Sequence, residues 1–229
     1  MVAHPRNAMA LARSGRTSKL SRRTGLPARF RAPTMAGIDS FSEHTMSRLT
    51  VHTNDSAPEA SRSFVEKAIA NNGYLPNLIG VLANSPQALQ TYMTVSGINA
   101  ETSLTVAERE VVQITAARLH GCDFCVAGHT AVALKKAQLP VERVRALQRG
   151  QDTGDAKLDA VCAFAEAVIA RRGAVDDRVY QAFLDAGYGE RQALEVVLGI
   201  SLATLCNFAN TLAGSAINPE LQPFASGAI

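Results

Sequence analysis

From Ser56 onward, apolar residues recur at intervals of three and four, the spacing that lines one face of an α-helix. Ser56-Ala57-Pro58-Glu59 offers a serine N-cap with an acid three residues on. Phe64, Ala68 and Ile69 then share a face until Asn71-Asn72-Gly73 stops the run. Leu75-Pro76-Asn77 opens a short helix through Leu78, Ile79 and Leu82. Ser85-Pro86 starts another through Leu89, Tyr92 and Met93, with proline at the first helical position. Thr105-Val106-Ala107-Glu108 is a capping box, and the helix behind it carries Val111, Ile114, Thr115 and Leu119 as its stripe before Gly121 ends it. A further helix follows at once, from 122 to about 136, and Pro140 begins the next. Asp155 leads one bearing Leu158, Val161, Cys162, Ala165 and Ile169, closed by Arg171-Arg172-Gly173, and 175–186 and 189–213 complete the set. No stretch alternates with a two-residue period between hairpin turns. The expected fold class is therefore all-α, a compact domain of about eight helices over residues 47–229.

The stretch 193–213 is the nearest to a membrane span, but Glu195, Asn207 and Asn210 interrupt it and it reads as a core helix. Apolar residues at 47% and charged residues at 19% fit a soluble globular chain, and no membrane partner is expected. Charge is unevenly spread. Residues 1–46 hold eight basic side chains against Asp39 and Glu43, so a total of +3 leaves residues 47–229 at −3. A mildly acidic folded part has no nucleic-acid footprint. Residues 1–46 are rich in Arg, Ser, Thr, Pro and Gly without apolar periodicity, and are expected to be a disordered basic extension. Three readings of it stand: an extension ahead of a natural start at Met35 or Met46, an organelle transit peptide, or a basic arm for an anionic partner. It lacks a secretory core, and a cytoplasmic location is the expectation.

Only four cysteines are present, and two of them stand three apart, which in such a chain points to redox chemistry or metal binding. On a helix His129 lies one turn above Cys125, and Cys122 falls on nearly the same stripe. Gly121 sets Cys122 near the N-cap and Cys125 in the first turn, where free backbone N–H groups and the helix dipole favour a thiolate. The imidazole can take the thiol proton, and the second thiol is within disulfide reach. Glu110, on the preceding helix, returns alongside if the turn at His120-Gly121 is tight, to orient His129 or pass a proton through water. Zinc held by Cys122, Cys125, His129 and Glu110 is the competing reading, although structural zinc usually gathers ligands from separate loops. Cys162 and Cys206 sit on apolar faces as small hydrophobes, and His120 reads as a helix C-cap. Asn207 and Asn210 interrupt an apolar helix and need hydrogen-bond partners.

Glu110, eleven residues, Cys122-x-x-Cys125, three residues, His129 resembles the signature of the alkylhydroperoxidase D-like branch of the carboxymuconolactone decarboxylase superfamily. The Leu104-Thr-x-x-Glu-Arg-Glu110 lead-in and Gly73-Tyr-Leu-Pro-Asn77 look like the same family, and the resemblance covers about residues 56–222. It implies an all-helical homo-oligomer, a trimer or hexamer, that reduces a small hydroperoxide through its cysteine pair with no cofactor. On this chain the attacking thiol would be Cys125, its partner thiol Cys122, and the proton relay Glu110 and His129. The implied reductant is an external dithiol of lipoyl type. Tyr74, Leu75 and Leu78 correspond to a family segment that walls the substrate site. Phe124 stands where the best-known family enzyme has a second histidine, and the decarboxylase branch lacks the cysteine pair. Two alternatives remain beside a thiol-dependent peroxidase: a non-catalytic redox sensor, and a carboxymuconolactone decarboxylase-type enzyme.

Overall fold

The computed structural model describes residues 47–229, so the expectation of a disordered extension over 1–46 lies outside the described residues. Among the described residues there are nine α-helices, a 3₁₀ segment and no strand. The helices are α1 (Glu59–Asn72), α2 (Asn77–Leu82), α3 (Pro86–Ala100), α4 (Val106–Leu119) and α5 (Asp123–Lys135). They continue as α6 (Val141–Arg149), α7 (Ala156–Arg171), α8 (Asp177–Asp185) and α9 (Glu190–Ala213), followed by the 3₁₀ segment Pro219–Phe224.

Local chemistry sets most of these boundaries. The Ser85 hydroxyl accepts the Ala88 N–H at the start of α3, and the Thr105–Glu108 capping box closes in both directions at the start of α4. Asp155 accepts from the N–H groups of Lys157 and Leu158 at the start of α7. The first helix departs from expectation. Pro58, not Ser56, is the N-cap of α1 and makes no side-chain bond there. The Ser56 hydroxyl instead accepts the Thr53 N–H at 2.9 Å, a local turn that captures it before the helix begins.

Two apolar clusters share α4 and α9 between them. One gathers Val65, Leu78, Leu89, Cys125, Leu202 and Leu221 from α1, α2, α3, α5, α9 and the 3₁₀ segment. The other gathers Val111, Ile114, Leu147, Val161, Phe183 and Val196 around α4, α6, α7, α8 and α9. In the second, Phe183 stacks between Phe164 at 4.3 Å and Tyr188 at 4.5 Å between ring centroids. Burying such a ring contributes about 1.5–3 kcal/mol. Where α9 crosses α4, a Cβ on Gly199 would stand 3.1 Å from the Val112 side chain, so a glycine lets the two helices close together.

α4 is covered by α5, α7 and α9 and buries Glu110, Val112, Gln113 and Ala116 as well as the stripe expected from periodicity. Leu119, expected on that stripe, is 42% exposed at the helix end. α9 is long and apolar enough to cross a membrane by length and composition, yet its inner face packs on α2, α3, α4 and α7. Its outer face leaves Leu194, Val197, Phe208 and Leu212 exposed, so it is only half the core helix that the sequence suggests.

Candidate active site

The site begins with the turn between α4 and α5. His120 ends α4 in a right-handed conformation, and Gly121 at φ +69° reverses the chain, a conformation glycine adopts without steric cost. The Cys122 N–H reaches back to the Ala117 carbonyl at 2.9 Å, and Cys122 becomes the N-cap of α5. Its sulfur accepts the Cys125 N–H at 3.3 Å. Cys122 and Cys125 are joined as a disulfide, with Cα atoms 5.3 Å apart. α5 folds back along α4, and this brings His129 Nδ1 to 2.8 Å from Glu110 Oε2. All four residues singled out by their spacing thus meet at one place.

They do not face the same space, although Cys122 and Cys125 are both buried, at 3% and 4% exposed. Cys125 and His129 line a cavity of about 660 Å³ bounded by α1, α2, α3, α5, α9 and the 3₁₀ segment. Cys122 is 3% exposed and is not among the cavity-lining residues; Glu110 is buried behind His129. A dry carboxylate bonded to Nδ1 fixes the imidazole orientation and leaves Nε2 as its proton acceptor. Tyr74 and Leu78 line the cavity as expected, whereas Leu75 packs into the neighbouring apolar cluster instead. Phe124 adds an apolar wall beside the cysteine pair. Asn77, from the same expected segment, donates its backbone N–H to Asn218 Oδ1 at 2.8 Å and so ties that wall to the C-terminal segment.

Residues from α9 complete the site. Asn210 donates through Nδ2 to Cys125 Sγ at 3.3 Å, is 3% exposed, and leaves its own Oδ1 without a partner among the described residues. Asn207 Oδ1 meets His120 Nδ1 at 3.0 Å, so the C-capping histidine is also anchored to α9. The sequence marked these asparagines as needing partners; contact with the sulfur spans 85 residues and has no local signal. Cys206 lines the same cavity, and burial pushes its thiol up to about 12. Tyr92, also on the wall, is raised by burial first and then by Cys206. Among the described residues, no group of three or more His, Cys, Asp or Glu side chains is placed to hold a metal ion.

Residues 86–167, which include Glu110, both paired cysteines and His129, match the carboxymuconolactone decarboxylase family. No curated protein matches the chain by sequence. Among solved structures, the alkylhydroperoxidase AhpD core of an uncharacterized peroxidase-related protein from Ralstonia eutropha JMP134 superposes with a TM-score of 0.71 at 19% identity. That match covers 80% of this chain and 98% of the other. An uncharacterized peroxidase-related protein from Silicibacter sp. TM1040 gives 0.66 at 16% identity, over 81% of this chain and 98% of the other. The debrominase Bmp8 gives 0.63 at 19% identity, over 77% and 95%. At such identities these likenesses establish the fold, which is the all-α arrangement expected from the sequence.

Proposed function

We propose that this chain, whose residues 86–167 match the carboxymuconolactone decarboxylase family and whose fold is that of the alkylhydroperoxidase AhpD core, is a thiol-dependent peroxidase that reduces organic hydroperoxides. The observation that carries this reading is the unequal placement of two bonded and buried cysteines, with Cys125 lining a cavity beside a carboxylate-held His129 and Cys122 outside that lining.

In the reduced protein, Glu110 holds His129 through Nδ1 and Nε2 takes the Cys125 thiol proton. The α5 N-terminus and the Asn210 amide stabilise the resulting thiolate. The thiolate attacks the terminal oxygen of R–O–O–H and the O–O bond breaks. The proton held by His129 passes to the leaving alkoxide, giving R–OH and Cys125 sulfenic acid. The Cys122 thiolate then attacks the Cys125 sulfur, hydroxide leaves with a proton as water, and the disulfide forms. An external dithiol, of lipoyl type, returns both cysteines to thiols by exchange and is itself oxidised.

The outer face of α9, with Leu194, Val197, Phe208 and Leu212 on one stripe, is where we place the contact of a homo-oligomer. Sedimentation of the wild type against Leu194→Arg/Phe208→Glu reads it: a mass unchanged by the substitutions sinks that placement.

The test of function is consumption of an organic hydroperoxide by the reduced protein with a dithiol in excess. Turnover is expected in the wild type and absent in Cys125→Ser. Disulfide formation without turnover with any dithiol would favour a sensor, and peroxide-independent activity surviving loss of both cysteines would favour a decarboxylase-type enzyme. Bromide release from 2,3,4-tribromopyrrole, the ligand in a complex of a Bmp8 variant, in place of peroxide consumption would move the chemistry to the class named for that protein.

A further inference from the structure

The cavity that holds Cys125 has two chemically different ends. Cys125, Gly128, Val132 and Lys135 follow one another along the inner stripe of α5. Ten residues of helix separate the first from the last, a rise of about 15 Å. The lining also includes Ala68, Ile79, Met93, Leu202 and Leu221, beside polar Asn71, Asn72, Ser96 and Gln113. Gly128 widens it: a Cβ there would meet nothing closer than a Leu221 methyl at 3.9 Å.

At the far end stand Lys135 and Lys136, and Lys67 joins the lining from α1. All three are exposed, and none is ion-paired with another described residue. Lys135 rests its ammonium 4.5 Å from the centre of the Phe224 ring, which holds it over the 3₁₀ segment. Glu220 is the one acidic side chain among the described residues lining the cavity, so this lining carries a net charge of about +2 with His129 neutral. That surplus stands out in a folded part that is acidic as a whole.

We infer that the cavity takes an amphipathic hydroperoxide with an anionic head, a hydroperoxy fatty acid in chemical class: its peroxide lies at Cys125, its chain along α5, and its carboxylate among Lys67, Lys135 and Lys136. This rests on the peroxidase reading for the chemistry, but the recognition itself needs no turnover. The lining is more apolar than polar, so burial of the chain against it supplies most of the affinity. The lysines supply the choice of head group, a selectivity that salt weakens because the ammonium groups are exposed.

The experiment compares a hydroperoxy fatty acid with its methyl ester below their micelle concentrations, with dithiothreitol as reductant and tert-butyl hydroperoxide as a measure of the active fraction. At low ionic strength the acid is expected to exceed the ester in kcat/KM by roughly five- to twenty-fold, and the ratio should shrink as salt is added. In K67Q/K135Q/K136Q the ratio falls toward one, and arginine at the same three positions restores it. Because the reading is a ratio within one protein, partial misfolding of a variant does not move it. Equal acid and ester in the wild type, or a ratio that survives the triple substitution, overturns the proposal. Equilibrium dialysis of the corresponding hydroxy acid and its ester separates the two readings. If no hydroperoxide is turned over but the acid binds more tightly than the ester and the triple substitution abolishes the difference, the peroxidase reading fails and the ligand class stands.

Discussion

Replacing Asn210 by leucine tests the least expected part of the site, because the two residues have similar size and differ in the amide. In the structure that amide has one partner, Cys125 Sγ at 3.3 Å, in a position only 3% exposed. A hydrogen bond to a charged group contributes about 1.5–3 kcal/mol. Sulfur is a diffuse acceptor, so the lower figure is the appropriate one, and about 1.36 kcal/mol is one decade in a protonation equilibrium. Asn210→Leu should therefore lower the thiolate fraction of Cys125 at neutral pH about ten-fold, and kcat/KM for hydroperoxide in proportion. Stability should hold, since the substitution also removes an Oδ1 that is buried without a partner. The assay is the pH dependence of iodoacetamide alkylation at Cys125 in the reduced protein, with the site read by peptide mass. The alkylation curve should move to higher pH in Asn210→Leu, and further in Asn210→Asp, where a carboxylate faces the developing thiolate. Superimposable curves for wild type and Asn210→Leu would refute the assignment, whatever happens to peroxidase activity.

Glu110→Gln keeps the shape of the acid behind His129 but removes its charge, and kcat/KM should fall by about 10²-fold with the fold unchanged by circular dichroism. Cys206 shares the cavity but its thiol is pushed up to about 12 by burial, so it stays protonated at neutral pH; mass mapping after brief alkylation should find Cys125 modified and Cys206 intact. For Glu108, burial raises the carboxyl, but bonds from the Thr105 backbone and hydroxyl, Tyr188 and Lys157 outweigh it and leave it below its ordinary 4.5. A depressed folded value adds stability that is present above about pH 4.5 and lost as pH falls through the folded value. Urea unfolding should accordingly find Glu108→Gln less stable than wild type by about 1–3 kcal/mol at about pH 7, with the gap closing as the pH falls below the ordinary carboxylate range.

What could be read along the chain was what the chain settles within a few residues of itself. The capping box at Thr105, the stop at Gly121 and the return of Glu110 to His129 all belong to one short stretch of two helices and a turn, and each depends on neighbours close in sequence. Ser56 shows how local signals fail: two local bonds compete for one hydroxyl, and the turn with Thr53 takes it before the helix starts at Glu59. The 3₁₀ segment left no trace because six residues with Pro219 and Pro223 are too short for any helical period. It nonetheless supplies Glu220 and Leu221 to the cavity. Leu119 and the outer stripe of α9 were legible as apolar, but whether an apolar face meets its own chain or another copy is not a property of its period.

The division of labour proposed for the two thiols rests on the same local geometry. Cys122 occupies the N-cap, where a side chain turns inward to accept an N–H from the first turn, and it does so from Cys125. That duty keeps its sulfur out of the cavity lining and leaves Cys125, on the stripe that continues to Gly128, as the cysteine of the pair that lines it. A nucleophile must be approached by its electrophile, whereas a resolving thiol needs only to be within bonding reach of the nucleophile. Disulfide reach and unequal access to the cavity are therefore both consequences of placing Cys-x-x-Cys across a helix N-terminus. Shifting the pair one residue into α5 would free both sulfurs from the cap, rotate them by about 100° around the helix, and separate Cys125's successor from Asn210 and His129 alike.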